Sequence, residues 1–173
     1  REHIQLAADK IIVALDVDSA QEAYALVKLL SPPVTYYKVG MKLFTACGPR
    51  VITGLKELGV RIFLDLKFHD IPHTVASAAE VVTHYGVDMF NIHLSGGSEM
   101  VRAAADAARE TAARQRLPKP LVIGVTVLTS HDAHALREVG IERDLAAHGV
   151  GLASLGLENG IDGVVASPQE APA

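Results

Sequence analysis

The sequence predicts an α/β protein: a TIM (β/α)8 barrel, of which this chain covers about the first six β/α units. Short runs rich in β-branched residues alternate with helical stretches along the chain. The runs are almost continuously apolar, which is typical of parallel strands buried on both faces. The unit recurs roughly every 25–40 residues, as in such barrels. No linker divides residues 1–173, so we expect a single barrel domain that is incomplete at its C-terminal end.

Six runs are predicted as strands, because each is short, apolar and bounded by turn residues. In chain order they are KIIVALDV (10–17), VTYYKVG (34–40), RIFLDLK (61–67), DMFNIHL (88–94), LVIGVTVL (121–128) and GVVAS (163–167).

The helices between these strands are predicted from their end signals. Ser19 with Glu22 three residues later is a capping box before residues 20–30. Pro49 in a first turn and Gly59 at the end indicate a helix over 48–59. Two more helices are expected, one ending at Gly86 and an Ala-rich one over 98–116.

Composition excludes several classes of function. A formal net charge of -4 gives no reason to expect a nucleic acid or an anionic membrane as partner. No apolar run approaches the ~18 residues of a membrane span, and residues 1–10 lack the apolar core of a signal peptide. A single cysteine, Cys47, cannot form an internal disulfide, so we expect a cytoplasmic protein.

Polar residues interrupt the predicted strands at one end only. They are Asp16, Lys38, Asp65, Lys67, His93, Thr126 and Thr129, each at the C-terminal end of its run. In an α/β barrel these ends meet on one face, where catalytic groups come from several strands. The pattern therefore predicts a single site at that face.

The stretch DLKFHDIP, residues 65–72, is the most informative part of this site. Asp65 and Lys67 are two positions apart in a strand and should point the same way. Asp70 follows just beyond, so we expect Lys67 to lie between two carboxylates, with Lys38 one strand away. Such an array can present an ammonium proton in a desolvated place, as a general acid does. The alternative is a salt-bridge lattice that only stabilises the barrel mouth.

A metal site is not predicted. His69 and His73 are four positions apart, but Pro72 at the strand exit keeps them from sharing a helix face. No glutamate accompanies them as in the zinc motif HExxH.

Several motifs resemble orotidine 5′-monophosphate decarboxylases of the bacterial type. They are ALDV, YYKVGMKLF, FLDLKFHDIPHTV, NIHLSGG, GVTVLTS and DGVVASPQEA, in this order and at similar spacing. The resemblance covers nearly the whole chain. It implies decarboxylation of orotidine monophosphate to UMP, a step of pyrimidine nucleotide synthesis, without cofactor or metal.

The resemblance also implies roles for individual residues. Asp16 is similar to a ribose-binding aspartate, and Lys38 to a lysine that bonds a ribose hydroxyl and Asp65. Lys67 resembles the proton donor to C6. Three residues resemble those that a homodimer partner contributes to the neighbouring site: Asp70, Ile71 and Thr74. Thr129 resembles a residue that holds the pyrimidine base, and His93 a supporting residue of the site.

The sequence departs from the family pattern in one respect. The phosphate-binding segments that follow the seventh and eighth strands do not occur in these 173 residues. We therefore expect the sequence to be part of a longer protein. Two alternatives remain open: a metal-dependent sugar-phosphate decarboxylase or aldolase sharing DxKxxD, and a truncated barrel that binds or dimerises without catalysis.

Overall fold

The computed structural model describes residues 10–166, which form one parallel sheet with helices between its strands. The sheet has six strands in the order β1-β2-β3-β4-β5-β6, so spatial neighbours are also chain neighbours. Helices connect the successive parallel strands, and such connections are right-handed as a rule, which favours one face of the sheet for the helices. The result is a curled half-barrel, which confirms the parallel α/β fold and the strand order.

Five of the six strands are shorter than the runs that predicted them, and β3 extends one residue beyond its run. Their bounds are β1 Val13–Ala14, β2 Tyr36–Gly40, β3 Arg61–Phe68, β4 Met89–His93, β5 Leu121–Val125 and β6 Gly163–Val165.

The helices lie between the strands in chain order. Their bounds are α1 Ala20–Leu30, α2 Met41–Cys47, α3 Arg50–Glu57, α4 Pro72–His84, α5 Gly97–Gln115, α6 Ala133–Glu138 and α7 Leu145–Glu158; a 3-10 turn, Leu94–Gly96, precedes α5.

The end signals at the first helix are confirmed. The Ser19 hydroxyl accepts a hydrogen bond from the Glu22 backbone N–H at 3.2 Å and donates one to the Glu22 carboxylate at 3.2 Å. The helix predicted over 48–59 is shorter, because Pro49 caps α3 and does not lie inside it. Residues 41–47, which were not predicted as helical, form α2 directly after β2.

The first strand differs most from its prediction. The eight-residue run 10–17 contains only two strand residues, Val13 and Ala14. Within the described sheet β1 is an edge, and it pairs with β2 alone. Ile11 and Ile12 are 49% and 39% exposed. A strand with one neighbour receives half the ladder hydrogen bonds of a central strand, which limits its length.

Two aspartates fasten the N-terminal end of the sheet in the same way. Asp88, just before β4, accepts hydrogen bonds from the Ile62 backbone N–H at 2.7 Å and from Lys56 at 2.9 Å. Asp162, just before β6, accepts from the Val122 N–H at 2.8 Å and from a lysine at 2.7 Å. Asp88 follows a Gly-Val pair and Asp162 follows a Gly-Ile pair, so the same short sequence pattern precedes both aspartates.

Leu94 is fully buried and packs against both the sheet and α7. A Cβ placed on Gly124 of β5 would lie 2.5 Å from the Leu94 side chain, and one on Gly156 of α7 would lie 2.9 Å from it. Both glycines are therefore needed to make room for Leu94, which joins the two layers.

None of the helices within residues 10–166 combines the length and the apolar character that crossing a membrane requires. The last part of the DGVVASPQEA motif, residues 167–171, lies outside the described residues.

Candidate active site

The charged residues singled out in the sequence lie on neighbouring strands: Asp16 follows β1, Lys38 is in the middle of β2, and Asp65 and Lys67 are in the C-terminal half of β3. Strand register brings them together, since Ala14 of β1 pairs with Lys38 of β2, and Gly40 of β2 pairs with Asp65 of β3. Gly40 leaves space for the lysine, because a Cβ there would lie 3.2 Å from the Lys38 ammonium. The end of β2 is therefore open enough for a charged side chain to cross it.

Asp65 is the centre of this cluster. One carboxylate oxygen, Oδ1, accepts hydrogen bonds from Lys67 Nζ at 2.5 Å and from Asn91 Nδ2 at 2.7 Å. The other oxygen, Oδ2, lies 3.3 Å from Lys38 Nζ. Lys38 also lies 3.6 Å from Asp16, whose side chain is 70% exposed against 13% for Asp65. The four charged groups form one chain of ion pairs that runs from solvent into the sheet.

The charge environment keeps Asp65 ionised. Burial by itself raises the pKa of Asp65, but the hydrogen bonds from Lys67 and Asn91 and the charges of Lys67 and Lys38 more than offset it. The pKa of Asp65 is therefore lowered from its ordinary value. An ionised Asp65 holds two ammonium groups at the face where a ligand would bind.

Lys67 reaches Asp65 through an irregular backbone and not through simple strand alternation. Leu64 pairs with Phe90 and Phe68 with Ile92, so four positions of β3 span two positions of β4. Lys67 lies inside this bulge with φ of 52°, in the left-handed region. Bulges of this kind occur next to active sites, where they redirect a side chain. Asp65 and Lys67 are in contact, as predicted, but they meet through the bulge and not through the alternation of a regular strand.

Asn91 belongs to the cluster, although it was not singled out in the sequence. It lies in the middle of β4 and is 1% exposed. Besides its bond to Asp65, its Oδ1 accepts a hydrogen bond from the Lys67 backbone N–H at 2.8 Å. The available signal was a polar residue inside an apolar strand, two positions before His93 and therefore on the same face.

His93 follows Asn91 at the end of β4 and is partly buried. Its ring centroid lies 5.4 Å from that of His69. Burial, followed by the nearby charges of His69, Lys67 and His131, lowers the pKa of His93. The neutral form of His93 is thus favoured beside the lysine.

Asp70 does not meet Lys67 within this chain, contrary to the expectation that two carboxylates flank the lysine. Among residues 10–166 the ion pair of Lys67 is with Asp65. Asp70 is exposed, and its carboxylate accepts a hydrogen bond from the Ile71 N–H at 2.7 Å. Ile71 is 65% exposed, and Thr74 on α4 is also exposed. The physical reason is that the chain turns outward at Pro72 to begin α4.

Within residues 10–166, the threonines after β5 form no hydrogen bond with the charged cluster. The strand ends at Val125, and Thr126 donates a hydrogen bond to the Val165 carbonyl at 3.4 Å. Thr129 is exposed in a turn that precedes α6. No group of three or more metal-ligating side chains occurs among the residues that the structure describes.

Residues 9–173 match the family model described as orotidine 5′-phosphate decarboxylase / HUMPS family. The chain belongs to this family. It is 54% identical over 165 residues to an orotidine 5′-phosphate decarboxylase from Moorella thermoacetica, covering 95% of this chain and 66% of that one. A decarboxylase of the same name from Syntrophomonas wolfei is 47% identical over 169 residues, with 95% and 70% covered.

Two solved structures share the fold of this chain. A decarboxylase from Lactobacillus acidophilus superposes with a TM-score of 0.86 at 36% identity, covering 92% of this chain and 72% of that one. An uncharacterized conserved protein from Geobacillus kaustophilus gives 0.88 at 40% identity, with 93% and 75% covered. This chain spans about two thirds of the length of the curated relatives it matches, from 66% to 70% for the two named above.

Proposed function

We propose that the protein decarboxylates orotidine 5′-monophosphate to UMP, with Lys67 as the proton donor to C6. The observation that carries the proposal is the chain of ion pairs, in which Asp65 holds Lys67 at 2.5 Å and Lys38 at 3.3 Å. The proposal is also supported by the similar proteins above that are named orotidine 5′-phosphate decarboxylase.

The chemistry suits these groups. The bond from C6 to the carboxylate breaks, CO₂ leaves, and the electron pair stays on C6. A proton from Lys67 Nζ then bonds to C6, and the amine regains a proton from solvent. An ammonium held in place before the reaction stabilises negative charge as it develops, without reorganisation. Asp65 holds that ammonium in position, while Lys38 and Asp16 are available to ribose hydroxyls.

A homodimer completes the proposed site. Asp70, Ile71 and Thr74 are exposed, and the ion pair of Lys67 among the described residues is with Asp65 and not with Asp70. Residues placed in this way can reach the site of a second copy related by two-fold symmetry. His93 supports the site from β4, and Thr129 binds the pyrimidine base.

The phosphate of the nucleotide requires groups beyond the described residues. Barrels commonly bind phosphate with the loops after strands seven and eight. The relatives are longer than this chain, and we propose that the full-length protein completes a (β/α)8 barrel that supplies those loops. Binding energy from the remote phosphate then supports the chemical step.

The test is orotidine monophosphate turnover by the full-length protein, followed by the fall in pyrimidine ultraviolet absorbance. We expect turnover by the parent and its loss in Lys67→Ala. Lys56→Ala is the matched control, because Lys56 pairs with Asp88 at 2.9 Å at the opposite end of β3. The control should keep its turnover.

Other outcomes would contradict the proposal. Turnover that persists in Lys67→Ala would remove the proton-donor assignment. Activity on sugar phosphates that disappears on chelation would favour a metal-dependent decarboxylase or aldolase. A folded protein of full length without turnover on either substrate would indicate a barrel that binds without catalysis.

A further inference from the structure

Asn91 connects the two residues on which the proposed chemistry depends. Its side chain is buried, and both ends of its amide are hydrogen-bonded: Nδ2 donates to Asp65 at 2.7 Å and Oδ1 accepts from the Lys67 N–H at 2.8 Å. The orientation of the amide is unambiguous, because a carboxylate only accepts and a backbone N–H only donates. One side chain therefore contacts both members of the Lys67–Asp65 pair.

The contact to Lys67 compensates for a backbone irregularity. A left-handed conformation is unfavourable for lysine and persists only where the surroundings hold it. The bulge between Leu64 and Phe68 also takes the Lys67 N–H out of the regular ladder. A buried N–H without an acceptor is costly, and the Asn91 side chain provides that acceptor in place of a backbone carbonyl.

The contact to Asp65 restricts the rotation of the carboxylate. Lys67 and Asn91 share one of its oxygens, and Lys38 faces the other. Asn91 extends from the middle of a central strand and is buried, so its bond limits how far the carboxylate can rotate. The carboxylate in turn holds Lys67 Nζ at 2.5 Å.

We propose that Asn91 is a positioning residue, which holds the left-handed backbone of Lys67 and the carboxylate of Asp65 so that the Lys67 ammonium meets the reacting carbon. The proposal rests on the function proposed above, because its kinetic effect requires turnover of orotidine monophosphate. The two hydrogen bonds of Asn91 can be tested without turnover. Asn91 touches no reacting atom and acts through Lys67 and Asp65.

Two substitutions separate the two contacts. Asn91→Asp retains an oxygen for the Lys67 N–H but loses the donor to Asp65 and adds a like charge beside it. Asn91→Ala loses both contacts. Asn159→Ala is the matched control: Asn159 is 8% exposed, accepts from Arg102 at 2.7 Å and donates to a carbonyl at 2.8 Å, and precedes β6 at the other end of the sheet.

The kinetic measurement is kcat and KM for orotidine monophosphate, per folded molecule of full-length protein. We expect both Asn91 variants to lose kcat by about 100-fold, the effect of a displacement of about 1 Å, with little change in KM. We also expect the acidic limb of their pH–rate profiles to move to higher pH, because Asp65 loses a hydrogen bond to its charged form. Asn159→Ala should match the parent in kcat and in pH profile.

Two structural measurements do not need turnover. The Lys67 amide should exchange its hydrogen slowly in the parent and in Asn91→Asp, and faster in Asn91→Ala. Titration of the Asp65 carboxyl by carbon NMR should show a higher pKa in both variants than in the parent. These results would support the positioning role even if the parent does not turn over orotidine monophosphate, in which case the proposed function alone would fail.

The inference would be overturned by either of two results. Asn91 variants with the kcat and pH profile of the parent would show that the contacts do not position Lys67. Unchanged exchange of the Lys67 amide and an unchanged Asp65 titration in Asn91→Ala would show that the two residues hold their geometry without Asn91.

Discussion

At the scale of single residues, the backbone conformation of Lys67 predicts an effect on the free energy of unfolding that does not depend on its charge. Lys67 has φ of 52°, whereas Lys38 lies in the regular ladder of β2. A left-handed conformation costs an L-residue with a Cβ roughly 1–2 kcal/mol, and glycine nothing. We expect Lys67→Gly to unfold with a free energy about 1 kcal/mol higher than Lys67→Ala, measured by urea denaturation.

Lys38 supplies the control for that comparison. In a strand with ordinary dihedral angles, glycine is less stable than alanine by roughly 0.5–1 kcal/mol. The order of the two variants should therefore reverse at Lys38. If the alanine variant is the more stable one at both positions, the bulge relaxes when the lysine is removed.

His93 predicts a dependence of stability on pH. Because the pKa of His93 is lowered in the folded state, mainly by burial, the unfolded chain binds its proton more readily. The contribution of His93 to the free energy of unfolding is intact above the pKa of an unfolded histidine, about 6.5. This contribution is lost as the pH falls from there through the lower pKa of the folded state. The lowered pKa of Asp65 acts in a separate window, since that contribution is lost only below about 3.8.

The measurement is the free energy of unfolding of the parent and of His93→Gln, in urea at pH 7.5 and pH 5.5. We expect the parent to lose more stability than the variant between these two values, because the variant has no group to protonate at this position. An equal loss in both proteins would assign the acid sensitivity to other histidines.

At the scale of secondary-structure elements, the two aspartates at the N-terminal end of the sheet make the next prediction. Asp88 and Asp162 each satisfy a backbone N–H of the preceding strand, at Ile62 and Val122, and both of these residues are fully buried. Removing the acceptor leaves a buried donor unpaired, which costs roughly 1–3 kcal/mol. We expect Asp88→Ala and Asp162→Ala each to lower the free energy of unfolding by about 2 kcal/mol.

Asp106→Ala is the control for these substitutions. Asp106 pairs with Arg109 on the exposed face of α5 at 2.8 Å, and such surface pairs contribute little. Its effect on unfolding should stay within about 0.5 kcal/mol. Losses of the same size in all three variants would show that the two aspartates act as ordinary surface charges. Turnover per folded molecule should be unchanged, because this end of the barrel carries stability and not catalysis.

At the scale of the whole molecule, the position of Asp70 predicts that two copies share their sites. If Asp70 acts in the site of the partner, a hybrid of Lys67→Ala and Asp70→Ala subunits contains one intact site and one doubly altered site. With random pairing at equal amounts, about a quarter of the parent activity should return. The measurement is turnover of the two inactive variants alone and after mixing, unfolding and refolding together.

The same mixture contains its own control. Subunits of Lys67→Ala mixed with Lys38→Ala should regain nothing, since both lysines contact Asp65 of their own chain. No recovery in the Asp70 mixture, or sedimentation as a monomer at micromolar concentration, would show that Asp70 does not act across an interface.

The amino-acid sequence by itself determined the strand order, most helices and the residue types that gather at one end of the sheet. These features are local: alternation, capping residues and the place where an apolar run ends can be read within about ten positions. For that reason Asp16, Lys38, Asp65 and Lys67 were assigned to one cluster, and the structure brings them together.

Only the tertiary structure decided how that cluster is held. The bulge in β3 depends on its register against β4, which no short window of sequence contains. The contacts of Asn91 depend on the same register, and so Asn91 was read as part of an apolar strand. Asp70 was expected beside Lys67, but the turn at Pro72 directs it outward. Register and chain direction result from the packing of whole elements, and side-chain partners follow from them.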